Sequence, residues 1–316
     1  MNNLIVNGNA LNKRISDLAS IVTSIIKNNN VIPGPLPRTK LTANTTFYVA
    51  PSPTGSDTLG TGTSTLPWQT LQHAYNTLLN SYDAVGYNIT IQMTNGTYTP
   101  VTCVGAPPGV SSNNPITING NSSNPSLTII DSTVSGVNCV YIAGGAYLKI
   151  SNFKVQSSSL VSGTNGIYLD FLSLCLSSVG MVYGAFNTAA SNSYQITVAS
   201  GGRLYINGSY SVVGNATGHI LLTSSAEAYV SGSSTVTVST GLTISNWITV
   251  TSCATGFFDP VKYVISLSGS QPTGNRYNVT TNGLLNTTNS STGSSAGTTF
   301  FPGTTTISTT LGGIYV

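Results

Sequence analysis

This chain of 316 residues contains only seven side-chain carboxylates. They are Asp17, Asp57, Asp83, Asp131, Asp170, Glu227 and Asp259. Hydrolysis of a glycosidic bond requires two carboxylates about 5 to 9.5 Å apart, and a lyase requires at least a base and a charge-stabilising group. Asp17, Asp57 and Asp83 lie outside the repeats described below, and Asp259 precedes a proline in a turn. The weak catalytic candidates are therefore Asp170, Asp131 and Glu227.

Each of these three carboxylates also has a structural explanation. Glu227 stands 24 residues after Arg203, at the same place in the next repeat, which predicts a surface ion pair between neighbouring coils. Asp131 follows an apolar run as a turn residue. Asp170 occupies a corner where other repeats carry small residues, so it either caps a turn or faces a groove, including one between subunits. The sequence predicts no convincing acid–base pair, and whether the chain is an enzyme stays open.

Outward-facing aromatic residues predict a binding surface or a subunit interface. One column of the repeat holds Tyr141 and Tyr168, and a second holds Lys149, Tyr205, Tyr229 and Phe257. Tyrosine suits sugars and protein partners alike, because its ring buries apolar area and its hydroxyl forms hydrogen bonds. A continuous apolar strip usually marks an interface, which favours subunit packing slightly over glycan contact.

The cysteines and histidines predict no metal site. Cys103, Cys139, Cys175 and Cys253 stand far apart without a C-x-x-C pair, and the two histidines are His73 and His219. A zinc site normally requires clustered thiolate or imidazole ligands. We therefore expect no metal, no cofactor and reduced thiols.

Short strands are predicted to position these residues. One sequence unit with the pattern of short strands occurs twice within residues 196–238. Its first strand, corner, second strand and small-residue turn recur 24 positions later, and further copies start at residues 140, 167 and 248. The copy at 167 fits if one residue is deleted from its corner. Strands of about three to five residues at such a period are the signature of a β-solenoid. Alternation places Ile196, Val198, Leu204 and Ile206 inside and Thr197, Arg203 and Tyr205 outside.

Composition agrees with an all-β protein that carries few charges. The chain is 40% hydrophobic and only 5% charged, with a formal net charge of +3, so it is neither a disordered charged tail nor a nucleic-acid binder. No apolar run is long enough to span a membrane. The first ten residues lack the pattern of a secretory signal, so we expect synthesis in the cytoplasm without export by that route.

The chain divides into four predicted regions. Residues 1–30 form a stem whose heptad positions are Leu11, Ile15, Leu18, Val22 and Ile25, and residues 31–45 form a proline-rich linker. The seam favours an oligomeric coiled coil over packing on its own chain, but it does not decide the number of strands. Residues 46–270 form the solenoid, with a capping helix near 67–79, and residues 271–316 form a β-rich tail or cap.

Two regions carry a resemblance to known proteins. Residues 47–51 (Phe-Tyr-Val-Ala-Pro), 55–57, 60–62 and 67–74 (Pro-Trp-Gln-Thr-Leu-Gln-His-Ala) resemble the entry segment of right-handed, single-stranded parallel β-helix proteins of the pectate-lyase-like superfamily. The glycine-rich segments after residue 273 resemble the end of phage and prophage tail-fibre and tailspike-like proteins. No stretch matches the catalytic signature of a particular depolymerase.

The resemblance implies a function and a set of partners. Such tail proteins are typically homotrimers that bind or cut a surface glycan, so the chain is expected to be a virion protein that mediates adsorption to a bacterial polysaccharide or other receptor. Its N-terminus would attach to other tail or baseplate proteins, with no nucleic-acid partner and no membrane insertion. The alternatives are a trimeric polysaccharide depolymerase, either hydrolase or lyase, and a bacterial surface adhesin.

Overall fold

A computed structural model describes residues 37–189, 192–288, 300–305 and 308–316. The fold described below belongs to the unit that begins at Lys40. The predicted stem residues, Leu11, Ile15, Leu18, Val22 and Ile25, lie outside the described residues. The first part of the proline-rich linker lies outside them as well.

The described residues form short strands and two helical segments. In chain order these are β1 (Thr39–Lys40), β2 (Thr45–Val49), helix α1 (Leu71–Ser81), β3 (Tyr82–Asp83), β4 (Ile89–Met93), β5 (Gly96–Tyr98), β6 (Val101–Val104), β7 (Ile116–Asn119), a 3-10 helix (Pro125–Leu127), β8 (Thr128–Asp131), β9 (Val140–Ala143), β10 (Tyr147–Ser151), β11 (Lys154–Gln156), β12 (Ile167–Leu169), β13 (Leu174–Ser177), β14 (Met181–Tyr183), β15 (Tyr194–Val198), β16 (Arg203–Ile206), β17 (Tyr210–Val212), β18 (Ala216–Leu222), β19 (Glu227–Val230), β20 (Ser234–Val238), β21 (Thr243–Val250), β22 (Thr255–Phe257), β23 (Tyr263–Leu267), β24 (Thr273–Val279), β25 (Leu284–Asn286), β26 (Ser308–Thr309) and β27 (Ile314–Tyr315).

Three parallel sheets run along the solenoid. Sheet 1 has ten strands in the order β2-β4-β7-β10-β13-β16-β19-β22-β25-β27. Sheet 2 has eight, β6-β9-β12-β15-β18-β21-β24-β26, and sheet 3 has seven, β5-β8-β11-β14-β17-β20-β23. A complete coil passes from sheet 2 through sheet 1 to sheet 3, which gives about seven turns. The prediction of an all-β parallel solenoid is confirmed.

The register between coils matches the sequence repeat. The five predicted starting residues, Val140, Ile167, Ile196, Ile220 and Ile248, pair directly with one another in sheet 2. The predicted deletion in the coil that starts at residue 167 is wrong. Leu174 pairs with Arg203 and Cys175 with Leu204, so the corner keeps its full length.

Inward residues form one continuous apolar core. Ile196, Val198, Leu204 and Ile206 are at most 1% exposed, as the alternation predicts, and Arg203 is exposed. Burial of such an aliphatic side chain contributes about 2 kcal/mol. Thr197 departs from expectation: it belongs to the outward set but is only 3% exposed. Its hydroxyl donates to Asn165 Oδ1 at 2.9 Å, and this hydrogen bond offsets the loss of water.

The capping helix begins later than predicted, at Leu71 rather than near residue 67. Thr70 is its N-cap, and the Thr70 hydroxyl accepts a hydrogen bond from the backbone N–H of His73 at 3.1 Å. Asp57 supports this cap, because its Oδ1 accepts from the N–H of Thr70 at 3.0 Å and its Oδ2 accepts from the Thr70 hydroxyl at 2.7 Å. The predicted apolar stripe, which includes Leu71 and Leu78, is buried where α1 packs on β2, β3 and β6.

The predicted boundary at residue 270 does not coincide with a break in the sheets. β24 pairs with β21 in sheet 2, and β25 pairs with β22 in sheet 1. Residues assigned to a C-terminal tail therefore continue the coils, and Phe301 is fully buried against Phe258 and Tyr277.

One polar cluster interrupts the apolar core. Gln195 Nε2 donates to two backbone carbonyl oxygens, at 3.1 and 2.9 Å, which turns its Oε1 towards His219 Nδ1 at 2.7 Å. His219 therefore carries its proton on Nδ1, and its Nε2 accepts from the Tyr210 hydroxyl at 2.8 Å. The Tyr210 oxygen in turn accepts from the Tyr263 hydroxyl at 2.6 Å. Because the cluster excludes water, burial lowers the pKa of His219 to about 3.

Acid should destabilise the fold through His219. An unfolded histidine titrates near its ordinary pKa of 6.5, so the unfolded chain binds more protons than the folded chain between pH 6.5 and about 3. The contribution of neutral His219 to the free energy of unfolding is complete above this window. It declines as the pH falls through the window, by about 1 kcal/mol per pH unit. We expect the urea midpoint of unfolding to decrease across this range.

The matched variants are His219→Gln and His73→Gln. Replacement of His219 should remove part of the pH dependence of the urea midpoint, and replacement of half-buried His73, on α1, is the matched control for the loss of one histidine. Identical pH dependence in the unchanged protein and in both variants would contradict the assignment.

Candidate functional site

The predicted ion pair between neighbouring coils is present. Arg203 Nε lies 3.2 Å from Glu227 Oε2, and the two residues are register partners in sheet 1. Their side chains are 58% and 35% exposed, so solvent limits the pair to at most about 1 kcal/mol. Glu227 is therefore engaged in a surface contact rather than held ready as a general acid.

The two other weak catalytic candidates hold backbone and hydroxyl groups. Asp131 ends β8 in sheet 3, and its Oδ1 accepts from the N–H of Ser158, one coil on, at 2.8 Å. Asp170 follows β12 in sheet 2 and is 9% exposed. Its Oδ1 accepts from the N–H of Phe171 at 3.0 Å, and its Oδ2 accepts from the Tyr141 hydroxyl at 3.3 Å. Asp131 and Asp170 thus belong to different sheets and different hydrogen-bonding groups.

The first aromatic column forms as predicted. Tyr141 and Tyr168 are register partners in sheet 2, with ring centroids 5.7 Å apart. Desolvation and the Asp170 carboxylate together raise the pKa of both phenols, so both stay protonated in neutral solution. Tyr168 also lines a groove of about 390 Å³, together with Asn165 and Thr197.

The second aromatic column is also in register, but its rings stack on one another. Tyr205 and Tyr229 lie 5.5 Å apart at an interplanar angle of 20°, and Tyr229 and Phe257 lie 4.9 Å apart at 10°. Each shared ring face is covered by its neighbour, so the column presents ring edges and hydroxyls to the outside. The stacked rings stabilise the pairing of neighbouring strands in sheet 1.

Lys149 belongs to the same column, two coils before Tyr205, with Leu176 between them. Extended through its register partners, the column runs Thr90, Thr117, Lys149, Leu176, Tyr205, Tyr229 and Phe257, and we refer to it as the outward track. Its six steps at the strand spacing of about 4.8 Å span roughly 29 Å along the solenoid axis.

A groove lies over the first part of the outward track, and we call it the Lys149 groove. Its volume is about 530 Å³. Besides Lys149, its polar lining consists of two threonines, two serines and the asparagines Asn88, Asn113, Asn119 and Asn152. Its apolar lining consists of Pro115, Leu176 and Val179. No Asp, Glu or His is among these lining residues.

Hydrogen bonds between coils fix the amide wall of this groove. Asn119 Nδ2 donates to Gln92 Oε1 at 2.7 Å, one coil back. Asn119 Oδ1 accepts from the Ser151 hydroxyl at 2.8 Å and from Asn152 Nδ2 at 2.9 Å, one coil on. The wall is therefore ordered before any ligand arrives, which reduces the entropy that binding would lose.

Sequence reasoning missed this amide wall. The sequence predicts Lys149 as an outward residue, but Asn119, Asn113 and Asn88 lie in the early coils, before the first of the five repeats recognised in the sequence. The available signal was the spacing of strands β4, β7 and β10, since outward residues one coil apart stack directly. The loop residues 113 and 115 follow no repeat and could not have been placed.

The remaining chemical groups lie apart from the groove. All four cysteines are free thiols, and Cys103, Cys139 and Cys175 are buried, which raises their pKa values. Within the described ranges no three His, Cys, Asp or Glu residues come together as a metal site would require. No helix in those ranges has the length and apolar character needed to cross a membrane.

Loss of the ring stack should weaken the solenoid without altering its interior. We expect the double variant Tyr205→Ala, Tyr229→Ala to lower the free energy of unfolding by about 2 kcal/mol, because both stacked contacts disappear. Tyr229→Phe retains the rings and should change stability little. Tyr48→Ala removes a half-buried outward tyrosine of β2 that has no stacked neighbour in the described chain, so it serves as the control. Urea denaturation measures all three, and equal losses for the double variant and the control would contradict the stack's role.

Comparison with known proteins identifies no relative of this chain. No protein-family model matches it, and neither a curated protein nor a solved structure does so. The parallel β-solenoid is therefore established by its own strand pairing and register. The chemistry of the Lys149 groove and of the two aromatic columns is the remaining basis for a functional conclusion.

Proposed function

We propose that this chain is a phage or prophage tail-fibre or tailspike-like protein that binds a bacterial surface glycan in the Lys149 groove. The observation that carries the proposal is the groove itself: a polar trough on a rigid parallel sheet, lined by amides, hydroxyls and one lysine. Glycans expose hydroxyl groups that both donate and accept hydrogen bonds, and asparagine side chains do the same. The groove thus offers matching chemistry.

The outward track supports a linear polymer as the ligand. It extends the floor of the groove along the axis, from Thr117 past Leu176 to the edges of the ring stack, so successive sugars could lie over successive coils. The rigid backbone and the hydrogen-bonded amide wall would bind the polymer without reorganisation. The lining contains no carboxylate that could act as acid or base, which favours binding over cleavage.

The assembly proposed with this function is a homotrimer with an N-terminal stem. It derives from the family resemblance and from the heptad seam, and the N-terminus would attach to other tail or baseplate proteins of the virion. The Tyr205, Tyr229 and Phe257 stack suits subunit packing, since its outward ring edges offer apolar area and its tyrosine hydroxyls offer hydrogen bonds. A bacterial surface adhesin is the alternative with the same fold and the same groove.

An indole in the groove should block ligand binding. Thr117 is half-buried at the middle of the outward face of β7, and strands accept aromatic residues there, so Thr117→Trp should fold and fill the groove. Thr237→Trp places the same side chain at an exposed position of β20 in sheet 3 and is the matched control. Binding is measured on an array of bacterial capsular and O-antigen polysaccharides.

We expect the unchanged protein to bind at least one array polysaccharide, Thr117→Trp to lose about tenfold or more in affinity, and Thr237→Trp to retain it. Failure of the unchanged protein to bind any glycan would overturn the proposed function. Equal binding by all three proteins would overturn the assignment to the Lys149 groove.

A bound polysaccharide should remain intact. Incubation with the protein is expected to yield no new reducing ends and no unsaturated sugars, because the groove lacks a pair of carboxylates. Appearance of either product, above a heat-denatured control, would favour the depolymerase alternative. Asp170→Asn would then be the first variant to test, since Asp170 is the most buried of the candidate carboxylates.

A further inference from the structure

The strands of sheet 1 carry very few charges. Among the described residues of these strands, the only Asp, Glu, Lys, Arg or His side chains are Lys149, Arg203 and Glu227. Arg203 and Glu227 neutralise each other across 3.2 Å. Among the described residues no carboxylate lies within 4.0 Å of the Lys149 ammonium, so this lysine is the one uncompensated charge on the strands of the sheet.

The Lys149 charge lies in the groove. Its side chain is half-buried in the groove, with Thr117 beside it on the preceding coil and Leu176 on the following coil. The other polar lining groups are neutral amides and hydroxyls. Lys149 is therefore the only formal charge among the residues that line the groove, and partial burial strengthens its attraction for an anion relative to a fully exposed lysine.

We propose that the Lys149 groove selects an anionic glycan, and that the Lys149 ammonium contacts the acidic group of one sugar. This inference rests on the proposed function and narrows its ligand to polysaccharides with carboxylate or phosphate groups. An ammonium offers three N–H donors on a flexible stem, so it accepts either anion without a fixed geometry. The asparagines and hydroxyls of the wall bind the neutral hydroxyl groups of the same polymer.

The pair Lys149→Gln and Lys154→Gln separates this role from general charge effects. Both lysines are half-buried on outward strand positions, but Lys154 belongs to β11 in sheet 3 and is not among the residues that line the groove. Each substitution removes one positive charge and retains a polar side chain of similar length. Equal effects of the two would indicate a long-range electrostatic term rather than a contact.

The test measures affinity for array polysaccharides that contain uronic or sialic acids, that contain phosphodiesters, or that are neutral. We expect the best ligands to be acidic, Lys149→Gln to weaken them about tenfold or more, and Lys154→Gln to change them less than about twofold. Added salt should weaken binding of the unchanged protein more than binding of Lys149→Gln. Comparison of the carboxylate and phosphate sets identifies which anion is recognised.

Chemical reduction of the carboxylates supplies a second readout for a uronic-acid ligand. The reduced polymer should bind the unchanged protein no better than the native polymer binds Lys149→Gln. Preference for neutral polysaccharides, or equal affinities of both lysine variants and the unchanged protein, would overturn the anionic selection and leave the proposed glycan binding standing. Failure to bind any polysaccharide would overturn both.

Discussion

The backbone hydrogen bonds between successive coils are the interaction on which the rest of this structure depends. Parallel pairing keeps a regular register along the sheets, apart from a shift between Thr243 and Asn246 in sheet 2, so a residue lies beside its equivalent one coil away. Every side chain thereby becomes part of a column. An apolar column inside forms the core, and an outward column joins Lys149, Leu176 and Tyr205 into one track. Neither the ring stack nor the Arg203–Glu227 pair could form if one coil slipped by a single residue, because that slip would exchange the inner and outer faces.

The same constraint explains why His219 is hydrogen-bonded on both of its ring nitrogens. A position that faces inward in one coil faces inward in all, so His219 cannot turn to solvent when its neighbours are apolar. It is retained as a neutral imidazole between Gln195 and Tyr210, both of which are buried. A buried polar group without a partner destabilises a fold by more than one typical hydrogen bond stabilises it. The cluster is consequently specific to one protonation state, and its stability is linked to pH.

The sequence was sufficient wherever the repeat could be read, and insufficient where contacts cross irregular segments. The five coil starts, the inward set and the Arg203–Glu227 pair follow directly from the period, since equivalent positions must stack. The full-length corner before Leu174 was missed because Cys175 and Leu176 are both apolar, so alternation alone did not show which one faces inward. The face-to-face stacking of Tyr205 and Tyr229 could not be predicted, because a sequence gives column membership but not side-chain rotation. The amide wall of the groove was missed, since it joins strands of the early coils with an unrepeated loop.

Because the chain carries few charges, the one lysine in the groove is informative about the ligand. In a chain with many lysines, one more ammonium near a groove would carry little information, because most surface charges are solvated and unspecific. Here only 5% of the residues are charged, and on the strands of sheet 1 two of the three charges cancel each other. Catalysis would require carboxylates to converge, whereas Asp131 ends a strand of sheet 3, Asp170 lies in a corner after a strand of sheet 2, and each is bonded to its own partners. A single cation in an ordered amide groove suits recognition of an anion, for which one charge and a fixed shape are sufficient.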